Sequence, residues 1–207
     1  MASENGGYRG LLVDWGGVLT GDVFVSFQAF CELEGLEPDA VGRIFREDAA
    51  CRDLLIAFET GVLTEEDFEV QFAPHLGVQA PGLVDRLFAG SAPDDRMLEA
   101  VRRARAAGVR TGLVSNSWGT GRYPREVLAE LFDGVVISGE VGIRKPAPEI
   151  YRLGAKRIGL EPEACVFVDD LPFNLSPAAE LGMATVHHRA ADETIRALER
   201  LLGVPLR

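Results

Sequence analysis

The sequence predicts an α/β protein: a Rossmann-like core built on a parallel β-sheet, with an inserted α-helical cap domain. Two patterns lead to this prediction. From residue 93 onward, helical segments alternate with short and continuously apolar strands, which is typical of a parallel sheet covered by helices on both faces. Between residues 21 and 92, apolar side chains instead recur at helical spacing. We therefore expect residues 1–20 and 93–207 to form the core domain and residues 21–92 to form the cap.

The elements of the core can be assigned in chain order. The first strand is the apolar run that ends at Asp14, and the first core helix opens after Pro93 and stops at Gly108. The later strands are predicted at VRTGLVSNS, GVVIS, ACVFVDD and MATVHH. The later helices are predicted at YPREVLAELF, PEIYRLGAKRIG, NLSPAAELG (despite its proline) and ETIRALERLL. Each strand after the first is thus separated from the next by a helix.

The predicted cap differs from the core in composition and charge. Helices are expected at VFVSFQAFCEL, CRDLLIAF and EEDFEVQF. Eight of the eleven phenylalanines lie between residues 24 and 88, and we expect them to form the cap's own core rather than to contact substrate. Residues 21–92 carry 14 acidic side chains against 4 arginines, a net charge of −10, whereas the rest of the chain carries a net charge of −1. This uneven distribution indicates a separate unit.

The composition limits the classes of function. The chain has 207 residues and a net charge of −11, which argues against nucleic acid as a partner. No apolar run approaches the roughly 18 residues of a membrane span, and the N-terminal MASENGGYRG lacks the features of a signal peptide. Three widely spaced cysteines are typical of a reduced, cytoplasmic protein. The sequence does not indicate an oligomeric state.

Chemically active side chains follow three of the predicted strands. Asp14 ends the first strand, Ser115 and Asn116 end the second, and the pair Asp169-Asp170 ends a later one. A nearby loop, GIRKPAPEIY, adds the ammonium group of Lys145. In open parallel sheets, ligands bind beyond the carboxyl ends of the strands. Clustered carboxylates without histidine or cysteine favour Mg²⁺, and a phosphoryl group suits a metal, a lysine and a hydroxyl together.

Four motifs in order resemble those of the haloacid dehalogenase (HAD) superfamily of hydrolases. LLVDWGGVLT resembles the first motif and LVSNS the second; the lysine of GIRKPAPEIY resembles the third and VFVDDLPFNLSPAAELGM the fourth. The resemblance covers nearly the whole chain and is closest to subfamily I, with a helical cap of the C1 type. It implies a Mg²⁺-dependent phosphatase that hydrolyses a small phosphorylated metabolite.

The resemblance also implies roles for the residues in these motifs. Asp14 would be the nucleophile and would form an aspartyl-phosphate that water then hydrolyses. Ser115 and the backbone N–H groups near Asn116 would bind the phosphoryl oxygens. Lys145 would neutralise the developing charge and orient Asp14.

The same resemblance implies a metal site. Mg²⁺ would be bound by Asp14, by the carbonyl oxygen of Gly16 and by Asp170. Asp169 and Asn174 would not bind the ion themselves but would hold these ligands in place through hydrogen bonds.

Gly16 is a departure from the usual family pattern. Most phosphatases of the family carry a second aspartate at this position, which acts as general acid and base and is typically worth roughly 10²–10⁴ in rate. A subgroup that resembles sugar-1-phosphate phosphatases also has glycine there. Three explanations remain open: a substrate whose leaving group needs little protonation, an acid lent by the cap (Asp22 and His75 are candidates), or binding without efficient turnover.

Other classes of function fit the sequence less well. Phosphonate-cleaving relatives need a lysine in the cap, but the two lysines, Lys145 and Lys156, both lie outside it. A haloacid dehalogenase usually has tyrosine at the position of Gly16, and a dinucleotide-binding module would need a GxGxxG turn. The alternatives that we retain are a dehalogenase-type hydrolase and a catalytically weak protein that binds a phosphometabolite.

Overall fold

The computed structural model describes residues 7–207 and has a five-stranded sheet at its centre. The strands are β1 (Gly10–Val13), β2 (Arg110–Ser115), β3 (Gly134–Ile137), β4 (Cys165–Asp169) and β5 (Ala184–His187). Their spatial order is β3-β2-β1-β4-β5, and every neighbouring pair is parallel. The predicted fold class is therefore confirmed. Residues 1–6, which include most of the segment examined for a signal peptide, lie outside the described residues.

Five helices connect β1 to the first helix that packs on the sheet. They are α1 (Val23–Glu34), α2 (Ala40–Glu47), α3 (Ala49–Glu59), α4 (Glu65–Leu76) and α5 (Leu83–Phe88), and we call them together the insertion. Asp48 and Thr64 cap α3 and α4 by accepting hydrogen bonds from the first backbone N–H groups of each helix. The sequence predicted α1, α3 and α4, and the structure adds the short α2 and α5.

The remaining helices belong to the core. They are α6 (Asp95–Ala106), α7 (Arg125–Leu131), the short α8 (Ser138–Val141), α9 (Pro148–Arg157), α10 (Pro172–Glu180) and α11 (Ala191–Leu202). Successive residues of β1 point to opposite faces of the sheet. Leu11 and Val13 pack with side chains of α6, α7 and α11, whereas Leu12 packs with side chains of α9 and α10. The sheet is thus buried on both faces, which explains why its strands are continuously apolar.

The insertion has its own hydrophobic core, which is rich in aromatic rings. Phe58, Phe68 and Phe72 are buried, and their rings stack with centroid distances of 4.5–5.2 Å. Trp118, from the loop after β2, reaches into this cluster and lies 5.3–6.2 Å from five phenylalanine rings. Trp118 is therefore one of the core side chains that hold the insertion against the sheet.

None of the helices in residues 7–207 combines the length and the apolar character that crossing a bilayer would require.

Candidate active site

The side chains that follow β1, β2 and β4 converge because these three strands are adjacent in the sheet. Asp14 comes directly after β1, and its backbone N–H donates to the carbonyl of Val168 on β4 at 3.0 Å. Ser115 and Asp169 are the last residues of β2 and β4. Asp14 and Ser115 line one cavity of about 800 Å³, which we call the site cavity.

Lys145 lies at the centre of this arrangement and is fully buried. Its Nζ is 2.8 Å from Asp14 Oδ2 and 2.7 Å from Asp169 Oδ2. Burial by itself would lower the pKa of Lys145, but the two carboxylates outweigh that effect and raise the pKa. The ammonium group therefore stays charged and holds the Asp14 side chain in a fixed position.

Asn116 holds the loop that carries Lys145. Its Oδ1 accepts a hydrogen bond from the backbone N–H of Lys145 at 2.8 Å, and its Nδ2 donates to the backbone carbonyl of Lys145 at 3.1 Å. The side chain that precedes it, Ser115, lies 3.0 Å from the hydroxyl of the buried Tyr123. Asn116 is thus a positioning residue in this structure, and Ser115 is the hydroxyl that faces the cavity.

Three carboxylates meet at the strand ends. Oxygen atoms of Asp14, Asp169 and Asp170 lie within 4.8 Å of one another. Burial is the main cause that raises the pKa of Asp14 to about 6 and that of Asp170 to about 7, and the neighbouring carboxylates add to it. A cation between these groups would relieve their mutual repulsion.

Two of these carboxylates differ in the partners that they have. Asp169 accepts hydrogen bonds from Leu171 N–H at 2.9 Å and from Asn174 Nδ2 at 3.0 Å, besides its contact with Lys145. Among the described residues, no basic side chain forms an ion pair with Asp170, which lines the site cavity. The carboxylate of Asp169 therefore bonds to other groups of the protein, whereas the carboxylate of Asp170 is available to bind a cation.

The structure requires glycine at one of the two glycine positions after Asp14 but not at the other. Gly17 has φ of +70°, and a Cβ there would lie 2.3 Å from Asp170 Oδ2, so only glycine fits. At Gly16 a Cβ would meet only Val23 Cγ2, at 3.2 Å. Gly16 lines the cavity, and the space around it does not by itself demand a glycine.

The structure brings Glu59, which the sequence did not single out, to the site. This last residue of α3 is only 4% exposed and lines the cavity. It lies 2.5 Å from Arg144 Nε and 3.4 Å from Asn116 Nδ2. Burial raises the pKa of Glu59 to about 7, against the lowering effect of Arg144. It is one of 14 acidic residues in its segment, and no spacing or motif distinguishes it from the others.

Asp22 and His75, the two cap residues considered as proton donors, are placed elsewhere. Asp22 caps α1 by accepting a hydrogen bond from Phe24 N–H at 2.7 Å. His75 Nδ1 lies 3.5 Å from Asp48 Oδ2, and neither Asp22 nor His75 lines the site cavity. Neither of the two candidates therefore lies at the site cavity, whereas Glu59 does.

The expectation that the eight phenylalanines of residues 24–88 form the insertion's own core holds for seven of them, which are buried in its hydrophobic cluster or packed against it, and Phe24 is the exception. Four of the eight belong to the insertion's buried core alone: Phe30, Phe58, Phe68 and Phe72. The other four line the site cavity: Phe24, Phe27, Phe45 and Phe88. Helical spacing identifies residues that face away from water, but it does not tell whether they face a core or a cavity.

Comparison with known proteins identifies relatives of this chain. A family model described as haloacid dehalogenase-like hydrolase matches residues 8–182. Bifunctional epoxide hydrolase 2 of Sus scrofa is 31% identical over 157 residues, which cover 72% of this chain and 26% of that protein. A sesquiterpene phosphatase of Aspergillus oryzae is 30% identical over 152 residues, which cover 70% of this chain and 78% of that protein. The chain thus spans about a quarter of the length of the bifunctional protein.

Solved structures show the same fold. A HAD-like hydrolase structure from Porphyromonas gingivalis matches with a TM-score of 0.68 and 23% identity, over 94% of this chain and 98% of that one. A HAD family enzyme from Bacteroides thetaiotaomicron, in a magnesium complex, matches with a TM-score of 0.65 and 21% identity, over 89% and 94% of the two chains. At this level of identity the likeness concerns the fold.

Proposed function

Because the chain belongs to the haloacid dehalogenase-like hydrolases, we propose that it is a Mg²⁺-dependent phosphatase acting on a small phosphorylated metabolite. The observation that carries the proposal is the buried Lys145, whose ammonium group bridges Asp14 and Asp169. A carboxylate held in this way, beside the carboxylates of Asp169 and Asp170, suits a nucleophile that attacks an anionic phosphoryl group. Relatives that are phosphatases, among them the sesquiterpene phosphatase and a glyceraldehyde 3-phosphate phosphatase of Methanocaldococcus jannaschii, support the same reaction class.

The residues present fit a magnesium ion. Asp14 and Asp170 supply hard carboxylate oxygens, and Gly16 supplies a backbone carbonyl at the same edge of the cavity. Asn174 Oδ1 is buried and has no hydrogen-bond partner among the described residues, so a polar group is left over beside the acidic cluster. When bound, the ion would neutralise negative charge on the phosphoryl group.

In the proposed reaction, each residue of the site has its own role. A carboxylate oxygen of Asp14 forms a bond to phosphorus while the bond from phosphorus to the leaving oxygen breaks. Ser115 donates to a phosphoryl oxygen, Lys145 balances the charge, and Asn116 keeps Lys145 in place. Water then attacks phosphorus, releases inorganic phosphate and restores Asp14.

Glu59 is our proposed source of the proton that Gly16 does not supply. With a pKa raised to about 7, a buried carboxylic acid is partly protonated at neutral pH and can donate to a leaving oxygen. Asn116 links it to Lys145 through two hydrogen-bond contacts, and both residues line the same cavity as Asp14.

The organisation predicted from sequence is retained as part of the proposal. We propose residues 21–92 as the cap domain and residues 1–20 with 93–207 as the core domain, since the insertion has a separate hydrophobic cluster. The three cysteines, which are free and buried, support a reducing cytoplasmic location.

The reaction class is tested by product analysis. The protein is incubated with phosphate esters and with 2-haloacids, each with and without Mg²⁺, and released phosphate and halide are measured. We expect phosphate release that requires Mg²⁺ and no halide. Halide release without metal would assign a dehalogenase-type reaction, and tight binding of phosphate esters without release would assign a binding protein.

The role of Glu59 is tested by the dependence of rate on leaving-group pKa. In the native protein we expect a shallow dependence across aryl and alkyl phosphates, because Glu59 protonates the leaving oxygen. Glu59→Gln should steepen this dependence, while the rates with activated substrates change little. Adding Gly16→Asp to that variant should make the dependence shallow again. An equally steep dependence in the native protein and in Glu59→Gln would remove Glu59 from the mechanism.

A further inference from the structure

Away from the strand ends, the wall of the site cavity is apolar and comes from both regions of the molecule. The insertion contributes side chains from α1, α2, α3 and α5, and the core contributes Phe173 from α10 together with Trp15, Trp118 and Leu171 from its loops. Six of them define what we call the aromatic wall: Phe24, Phe27, Phe45, Ile56, Phe88 and Phe173.

Three side chains of the aromatic wall are left facing water. Phe24 is 52% exposed, Ile56 is 42% exposed and Phe173 is 56% exposed, although all three line the cavity. They lie on three different helices, so no single helix face accounts for them. Large apolar side chains that remain exposed around one cavity mark a surface that an apolar ligand would cover.

Three arginines line this part of the cavity, and each has a partner; that of Arg46 is the most distant, with Asp39 Oδ2 at 3.6 Å. Arg52 donates to the carbonyl of Arg46 at 2.6 Å, and Arg122 is paired with Glu65 at 2.6 Å and Asp85 at 2.5 Å. A hydrophilic substrate such as a sugar phosphate would need free, directed donors and acceptors for its hydroxyl groups. The engaged arginines and the aromatic wall disfavour that class of substrate.

From this geometry, and resting on the proposed phosphatase function, we propose that the substrate is the phosphomonoester of a long apolar alcohol, with an alkyl or isoprenoid chain lying against the aromatic wall. The phosphoryl group would sit at the strand ends beside Asp14 and Lys145. The cavity volume of about 800 Å³ is ample for such a chain.

The proposal is tested with n-alkylphosphonates, which carry the same headgroup but cannot be hydrolysed. Methyl-, butyl-, hexyl- and decylphosphonate are used as inhibitors of acetyl phosphate hydrolysis in the presence of Mg²⁺. We expect the inhibition constant to fall up to roughly fourfold for each added methylene until the wall is covered. Inhibition that does not change with chain length overturns the proposal.

The same experiment separates this inference from the proposed function. Hydrolysis of acetyl phosphate, which has no large apolar group, reports phosphatase activity alone. If neither acetyl phosphate nor decyl phosphate is hydrolysed, the phosphatase assignment fails, and calorimetric binding of the phosphonate series then decides the question of chain length on its own.

A matched pair of variants on α1 tests whether the aromatic wall causes the effect of chain length on binding. Phe24→Ala removes an exposed ring from the aromatic wall, whereas Leu33→Ala removes an exposed side chain outside the cavity. We expect Phe24→Ala to weaken the binding of decylphosphonate about fivefold or more and to leave the binding of methylphosphonate unchanged. Leu33→Ala should change neither. Equal losses for both phosphonates, or no loss in Phe24→Ala, would contradict a chain-binding wall.

Discussion

The core and the helical insertion line the same cavity with opposite chemistry. On the core side, Lys145 and Asp169 have almost no contact with solvent, and each is held by at least two short polar contacts. On the insertion side, Phe24 and Ile56 are large apolar groups that face water and have no fixed polar partners. A fixed set of charges suits one chemical step, whereas an apolar wall suits recognition of the rest of the substrate. The comparison suggests that chemistry and specificity are divided between the two regions.

Several side chains join the regions, and two of them show that these contacts run in both directions. Trp118 leaves the core and packs among the insertion's phenylalanines, and Glu59 leaves the insertion and meets Arg144 and Asn116 at the strand ends. The backbone carbonyl of Glu59 also accepts a hydrogen bond from Ser138 Oγ at 2.5 Å. The division of labour therefore depends on contacts that cross between the regions in both directions.

The largest effect is expected from the core's nucleophile. Asp14→Asn keeps the shape of the side chain but removes its nucleophilic oxygen, so phosphate release should fall roughly 10³-fold or more. Steady-state kinetics measure this, and circular dichroism checks that the fold is retained. As a control, Asp53→Asn changes an exposed carboxylate of the insertion and should keep native rates. Comparable rates in Asp14→Asn and the native protein would place the chemistry outside the core.

The second prediction concerns the metal ligands of the core. Asp170→Ala should weaken Mg²⁺ binding roughly tenfold or more in calorimetry, because it removes the carboxylate that has no basic partner among the described residues. His75→Asn, in the cluster of Asp48, Cys51 and His75 on the insertion, is the control and should leave the affinity unchanged. The reverse pattern would move the metal site to the insertion.

The third prediction tests the contact that anchors the insertion. Trp118→Ala deletes a ring that lies near five phenylalanines, so the free energy of unfolding should fall by about 2–4 kcal/mol. Denaturant titration measures the change. Leu33→Ala, at a position that is 86% exposed, should stay within about 0.5 kcal/mol of the native value. A loss below about 1 kcal/mol for Trp118→Ala would mean that the two regions hold together without this ring.

The fourth prediction concerns the pH dependence of stability at Glu59. An acid whose pKa is raised in the folded state contributes stability that is fully present below its ordinary pKa of 4.5 and is lost as pH rises through about 7. Glu59→Gln lacks this titration, so its stability relative to the native protein should improve between these pH values, by about 3 kcal/mol. Unfolding titrations of both proteins at pH 4.5, 6 and 7.5 measure the difference. A constant difference would indicate that Arg144 keeps Glu59 ionised throughout.

By itself, the sequence predicted the α/β fold and the residues at the strand ends. Both depend on local rules: continuous apolar runs form buried strands, and parallel strands present their carboxyl ends at one edge of the sheet. The pairing order that places β1 between β2 and β4 brings Asp14, Ser115 and Asp169 together, as expected from their positions in the chain. The short helices α2, α5 and α8 were not predicted: α2 and α8 contain a glycine, which weakens a helical pattern, and α5 has only six residues.

Only the tertiary structure decided what the insertion brings to the cavity. Glu59 reaches the site because α3 ends next to Asn116 and the loop that carries Lys145. Four phenylalanines line the cavity because helices of the insertion form one of its walls. Such placements depend on how one packed unit is oriented on another. That orientation is set by contacts between residues far apart in the chain, such as Trp118 with Phe27, and no local spacing encodes it.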